Sequence, residues 1–179
     1  MQQATKWVYD YSHSKIGFSV RHFGITETDG FFRKFHGTAM SVKDDFSDLK
    51  VELIIDVNSI DTNESQRDAH LKSADFFEAD KFPEMTFKSN RLEMVGEKNN
   101  KMFGEFTMKD VSNPVILDME FAGIVPKDPY GNTKAGFFVS GKINRKDWGI
   151  TWNAALDHGG VAVSETVKIS GSIQLLKVS

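Results

Sequence analysis

The stretch Ala135-Gly136-Phe137-Phe138-Val139-Ser140-Gly141-Lys142-Ile143-Asn144 decides how the chain is read. Ala135, Phe137, Val139, Gly141 and Ile143 fall in one register, and Gly136, Phe138, Ser140, Lys142 and Asn144 in the other. Side chains of a β-strand point alternately to opposite faces, so a period of two marks a strand with one buried face. The same period appears on both sides of this segment. Ile16, Phe18, Val20 and His22 share a register, as do Leu49, Val51, Leu53, Ile55 and Val57. So do Met85 and Phe87, then Met102, Gly104, Phe106 and Met108, then Val115, Leu117, Met119, Phe121 and Gly123. Val167, Ile169, Gly171, Ile173 and Leu175 end the series, and Gly30–Val42 reads as one further, longer strand.

Turn chemistry separates these segments at Asp44-Asp45, Glu97–Asn100, Ser112-Asn113-Pro114 and Asp128–Asn132. About eight one-faced antiparallel strands must close into a barrel or pair as a sandwich. An eight-stranded barrel is wide enough inside for one small ligand. One segment breaks the period: Thr62–Phe77 reads as a helical region, with the helix itself at about residues 63–75 and Asn63 as its N-cap. The expected fold is therefore all-β: an extended eight-stranded antiparallel barrel with one short inserted helix, forming a single domain over residues 1–179.

Composition narrows the function. The formal net charge is −3 and Lys and Arg gather on no single stretch, which speaks against a nucleic-acid partner or a charged membrane surface. With no cysteine there is no disulfide scaffold, thiolate metal site or Cys nucleophile. No run approaches the length of apolar sequence needed to span a membrane, so an integral membrane protein is not expected. No apolar export segment precedes the first strand, so the chain as written is expected in the cytoplasm, or in the periplasm if it is a trimmed mature form.

Catalytic signatures are missing. There is no G-x-S-x-G, G-x-G-x-x-G or phosphate-binding glycine–lysine loop. His13, His22, His36, His70 and His158 show no metal-site spacing, although His13 and His22 flank one strand and could converge. The densest polar group is Arg67-Asp68 with His70 on the helix. It either orients a head group or is structural, with Arg67 holding a loop carboxylate such as Asp61 and Asp68 complementing the helix dipole. Lys142, Arg145, Lys146 and Asp147 fix a strand end, or else meet a lipid head.

The apolar register carries more information. It is rich in Phe and Met and is interrupted by Gly104, Gly123, Gly141 and Gly171. Inward glycines leave volume that methionine can line adaptably, or they relieve barrel corners and bulges; the pattern alone leaves both open. An enclosed apolar chain needs no catalytic group. Burying about ten CH₂ units is worth roughly 8 kcal/mol, or about micromolar affinity before ordering costs.

Several motifs resemble one family over nearly the whole chain. They are Trp7-Val-Tyr-Asp-Tyr-Ser-His-Ser14, Ile16-Gly-Phe-Ser-Val-Arg-His22, Gly30-Phe-Phe32 and Phe35-His-Gly37. They continue with Ser59-Ile-Asp-Thr-Asn63, Arg67-Asp-Ala-His-Leu-Lys-Ser73, Asp75-Phe-Phe77, Phe82-Pro83 and Thr86-Phe-Lys-Ser89. Asp128-Pro-Tyr-Gly131, Lys134-Ala-Gly-Phe137 and Ile143-Asn-Arg-Lys-Asp-Trp-Gly149 complete the set. In order and spacing they resemble the YceI-like family of bacterial polyisoprenoid-binding, lipocalin-like proteins. Thr107-Met-Lys-Asp-Val111 departs from that family's usual turn, and Asp110 tolerates the same geometry.

The resemblance implies a lipocalin-like barrel with an apolar tunnel for isoprenoid chains or other lipids, in a protein of transport, storage or stress response without established catalysis. The tunnel is expected to be lined by Phe18, Val20, His22, Met85, Phe87, Phe106, Met119, Phe121, Phe137, Val139 and Ile169. His22, Arg67 and Arg145 are the head-group candidates. No catalytic residue, metal or required cofactor is expected, only a bound isoprenoid or other lipid. Two rivals stand beside this reading. One is an enzyme acting on a bound isoprenoid or quinone through His22 or the Arg67, Asp68 and His70 group. The other is an oligomeric, stress-related interaction protein, a homodimer included, with outward Phe103 or Phe138 at its interface.

Overall fold

The computed structural model describes residues 2–178. Its strands are β1 (Thr5–Tyr9), β2 (Lys15–His22), β3 (Thr26–Phe32), β4 (Phe35–Ser41), β5 (Lys50–Asp56) and β6 (Ile60–Asp61). After helix α1 (Ser65–Lys72) come β7 (Glu84–Met94), β8 (Asn99–Met108), β9 (Val111–Val125), β10 (Lys134–Asn144) and β11 (Val163–Lys177). All pairings between these strands are antiparallel. Eight strands close a ring in the order β1-β4-β5-β7-β8-β9-β10-β11, and Trp7↔Lys177 through Tyr9↔Leu175 join the last to the first. The closed eight-stranded antiparallel barrel is thus the architecture, and it leaves few free strand edges.

Three further strands branch from the ring. β11 pairs β1 through its C-terminal end and β2 through its middle, where Ile169 faces Phe18 and Gly171 faces Ile16. β1 and β2 are therefore two halves of one long course, broken by a 3-10 turn at Tyr11–His13. Gly30–Val42 is likewise not one strand. It divides into β3 and β4 at Arg33-Lys34, with β4 turning to β5 and β3 to β6. Arg33 fixes the break, since its N–H donates to the Ser59 carbonyl (3.1 Å) and its Nε to Asp61 (3.0 Å). The split lets the sheet close at one end and splay at the other.

The helix is shorter than residues 63–75. Glu64, not Asn63, caps it, its carboxylate accepting from the N–H groups of Gln66 (3.2 Å) and Arg67 (2.6 Å). Asn63 lies outside at φ +64°, held by its N–H to Asp61. The helix stops because the Ser73 hydroxyl takes the His70 carbonyl (2.6 Å). The chain then turns back to bury Phe76 and Ala79. No helix among the described residues is long and apolar enough to cross a membrane.

Candidate functional site

The inward faces of the barrel enclose a cavity of about 530 Å³. Its wall is built by the period-two residues: Phe18 and Val20 on β2, Val51, Leu53 and Ile55 on β5, and Met85 and Phe87 on β7. Met102, Phe106 and Met108 follow on β8, Val115, Leu117 and Met119 on β9, Phe137, Val139 and Ile143 on β10, and Ile169, Gly171, Ile173 and Leu175 on β11. The glycines within this register do different jobs. Gly104 and Gly141 leave no open space, because the Phe87 ring and the Leu117 side chain lie over them. Gly123, at φ +135°, sits where the β9–β10 register slips between the pairs Gly136↔Gly123 and Phe137↔Phe121. It is a bulge glycine, as the barrel-corner alternative holds. Gly171 alone of the four borders the cavity.

At the end where β11 meets β1, aromatic rings fill the barrel. Phe46 comes from the β4–β5 connection, is 2% exposed, and lies 5.1 Å from Trp7, 5.1 Å from Phe121 and 5.2 Å from Phe137, centroid to centroid. Of these four, only Phe137 borders the cavity. Phe46 holds a left-handed backbone (φ +57°), which costs a non-glycine residue about 1 kcal/mol. Asp48 pins the loop by accepting from Ser41 Oγ (2.7 Å), the Val42 N–H (2.8 Å) and the Lys43 N–H (3.1 Å). Burial alone would raise the Asp48 carboxyl, and these three donors outweigh it and hold it below its ordinary range.

Asp10 ties the same end together. It accepts from Gln174 Nε2 (2.9 Å) and Lys134 Nζ (3.1 Å), with Ser12 and His13 on its other side. Burial opposes its ionisation, yet these partners win and draw the carboxyl far below the usual carboxylate value. Tyr9, on the cavity wall nearby, has its hydroxyl pushed above its ordinary range by burial.

The opposite end is polar and roofed by loops. His22, Thr28, Thr62, Arg67, His70 and Arg145 reach the cavity there, beneath Ile150, Trp152, Ala154 and Ala162. Arg145 is 4% exposed and donates to three carbonyls: Ser164 (2.9 Å), Ile150 (2.9 Å) and Val163 (3.3 Å). Burial lowers its pKa, though a guanidinium stays charged at neutral pH. It clamps the roof to the strand end. Trp148, next to it, anchors the turn by donating to the Phe106 carbonyl (2.9 Å).

Arg67 does not meet Asp61. Its Nε donates to Thr62 Oγ1 (2.8 Å) and its Nη2 to the Thr62 carbonyl (2.6 Å), while Asp61 is taken by Arg33. Asp68 also goes to Thr62, accepting from its N–H (2.9 Å) and hydroxyl (2.6 Å), rather than only complementing the helix dipole. His70 turns instead to Asp75 (2.8 Å) and packs edge-on against Phe76 and Trp152. Arg67 and Asp68 therefore converge on Thr62, and His70 does not join them. His13 and His22 do not converge either: His13 pairs with Asp10, and His22 stacks on Phe23 at 3.7 Å, at opposite ends of β2.

Of the residues picked from the inward register, Phe18, Val20, His22, Met85, Phe87, Phe106, Met119, Phe137, Val139 and Ile169 border the cavity. Phe121 does not, because its ring is spent on Phe46 and Phe137. Among the outward aromatics, Phe103 lies under the Arg91 guanidinium (3.7 Å) and Phe138 stands 53% exposed. The roof residue Trp152 and the floor residue Phe46 were not expected. The signal for Phe46 was an aromatic inside the acidic turn Asp44-Asp45-Phe46-Ser47-Asp48, where turn chemistry alone asks for no ring.

A barrel closed by rings at one end, apolar along its wall and polar at its mouth invites comparison with known proteins. UPF0312 proteins of Staphylococcus aureus strains N315 and Mu50 are 35% identical over 170 residues, covering 95% of this chain and 96% of theirs. The Campylobacter jejuni YCEI protein superposes with TM-score 0.75 at 29% identity, over 95% of this chain and 96% of that one. Burkholderia cenocepacia BcnA gives 0.80 at 20% identity, over 93% and 98%. A polyisoprenoid-binding domain of Saccharophagus degradans gives 0.70 at 13% identity, over 96% and 98%. The model of the YceI-like domain matches residues 7–175, and the chain belongs to the YceI-like family.

Proposed function

We propose that this protein binds a long-chain apolar ligand, a polyisoprenoid, isoprenoid quinone or related lipid, inside the barrel and acts as its carrier or store. The observation that carries this reading is the cavity, whose strand-built wall is almost wholly apolar while its charged side chains gather at one end. Such a surface favours methylene and isoprenoid groups over any polar solute. The structural likeness to a domain described as polyisoprenoid-binding supports the ligand class. The chain would enter past His22 and Arg67 and run along Phe87, Phe106, Met119, Phe137, Val139 and Ile169. The head would stay at the mouth, where Arg67 forms no ion pair among the described residues and keeps donors beyond those it gives Thr62. Arg145, bound to three carbonyls, serves the roof.

The polar groups are arranged for holding rather than turnover, since Asp68 is committed to Thr62 and His70 to Asp75. Trp152 borders the cavity and gives a direct readout. Titration with a long-tailed quinone should quench tryptophan emission and saturate at one ligand per chain, whereas the tail-less quinone should not. Equal response to both would rule the reading out.

A further inference from the structure

We propose that Phe46 is the floor of the cavity and sets the length of chain it accepts. The proposal rests on the ligand reading above and names what that reading leaves open, the ligand's reach. The cavity does not run through the barrel. It ends at Phe137 and Leu175, and the space beyond is filled by Phe46 with Trp7 and Phe121 behind it.

Two independent features show that the ring is held in place rather than merely swept inward. Phe46 keeps a left-handed backbone that a non-glycine residue rarely adopts. Its loop is pinned by one carboxylate, Asp48, with three donors upon it. The next cavity residue, Leu49, is tied to the same turn by its N–H to the Phe46 carbonyl (3.1 Å). Floor and wall therefore move together.

The wall gives the scale. Cavity residues run from Phe137 on β10 to Arg145 just past its end, and from Val163 to Leu175 on β11. At about 3.3 Å per residue and about 40° of tilt, those spans are roughly 20–30 Å along the barrel axis. An extended chain advances about 1.2 Å per bond, so the depth holds about 20 bonds, or roughly five isoprene units. A phenyl ring and an isoprene unit have nearly the same number of carbons. Removing the ring should open room for about one more unit.

The test is a set of equilibrium titrations with linear all-trans prenols, from farnesol upward. In the unaltered protein, affinity should climb with each unit and stop climbing near the fifth. Phe46→Ala should move that break one unit longer, with affinity for the shortest prenols unchanged within about twofold. Met119→Trp, which adds bulk to the wall near the floor, should move it shorter. If Phe46→Ala fails to fold, Phe46→Leu is read in its place and should move the break in the same direction. A break that stays put in the Phe46 variants overturns the proposal while the ligand reading stands. No uptake of prenols or of long-tailed quinones by the unaltered protein overturns both.

Discussion

At one end of the barrel Trp7, Phe46, Phe121 and Phe137 pack ring against ring, while at the other Arg67, His70 and Arg145 border the cavity under a roof of loops. The first end is made of strand ends and one pinned turn, and the sheet seam is closed across it by β1 and β11. At the second, β11 leaves β1 for β2, β3 turns away to β6, and loops supply what the sheet does not. The difference is one of material. A closed sheet needs only apolar filling, whereas an opened one exposes backbone groups that side chains such as Arg145 and Arg67 must satisfy. One end can therefore be a rigid stop and the other a passage.

The sharpest way to break this contrast is to block the passage between the ends. Gly171→Leu puts a side chain into the cavity at a position where an added Cβ makes only ordinary contacts. Losing even half of a buried chain, about ten CH₂ units, forfeits about 8 kcal/mol, so prenol uptake should vanish while the melting temperature stays close to the parent's. Gly123→Leu is its counterpart at the bulge. There the left-handed backbone predicts lost stability with affinity unchanged in the protein that remains folded.

Next in size is the roof clamp. Arg145→Met takes the guanidinium from the Ser164 and Ile150 carbonyls, while Val163 keeps its bond from Asn153 Nδ2 (2.7 Å), and should cost about 3 kcal/mol in urea unfolding. Arg145→Lys, with one ammonium in place of a planar fork, should recover only part of it. At the floor end the corresponding polar tie is Asp10. Its carboxyl is depressed in the fold, so its stabilisation is present above the unfolded value near pH 4 and is lost as pH falls through the lower folded value. The parent should thus lose stability steeply below about pH 4, and Asp10→Asn should flatten that limb by about 2 kcal/mol. A pH series of urea melts reads both.

The smallest expected effect is at the mouth. Arg67→Gln should weaken a prenyl phosphate by about fivefold, roughly 1 kcal/mol, and leave the matching prenol unaffected. Equal loss of both would place the head elsewhere.

How much of this could be read from the residues follows from the same division. The wall was legible because a period of two is local: Phe137, Val139 and Ile169 face inward for the same reason that Phe138, Ser140 and Lys168 face out. The floor was not, because Phe46 reaches the interior from a turn through a backbone conformation that no periodicity announces. Phe121 misled for the complementary reason. It keeps the inward register, but that register continues past the cavity into the ring stack. The break at Arg33-Lys34 carries neither glycine nor proline, and its cause, the bond to Asp61, lies 28 residues away in sequence. At the mouth, Thr62 drew both Arg67 and Asp68, so the partner that spacing suggested for Arg67 was displaced by a hydroxyl and a carbonyl closer to hand.

The central claim is that the barrel interior holds an apolar chain, and mass spectrometry of an organic-solvent extract of the gently purified protein tests it most directly. The account predicts one isoprenoid or comparably long apolar molecule per chain in the parent, and none in Gly171→Leu prepared alongside. An extract without such a molecule, from protein that also takes up no prenol or quinone when these are supplied, would contradict it.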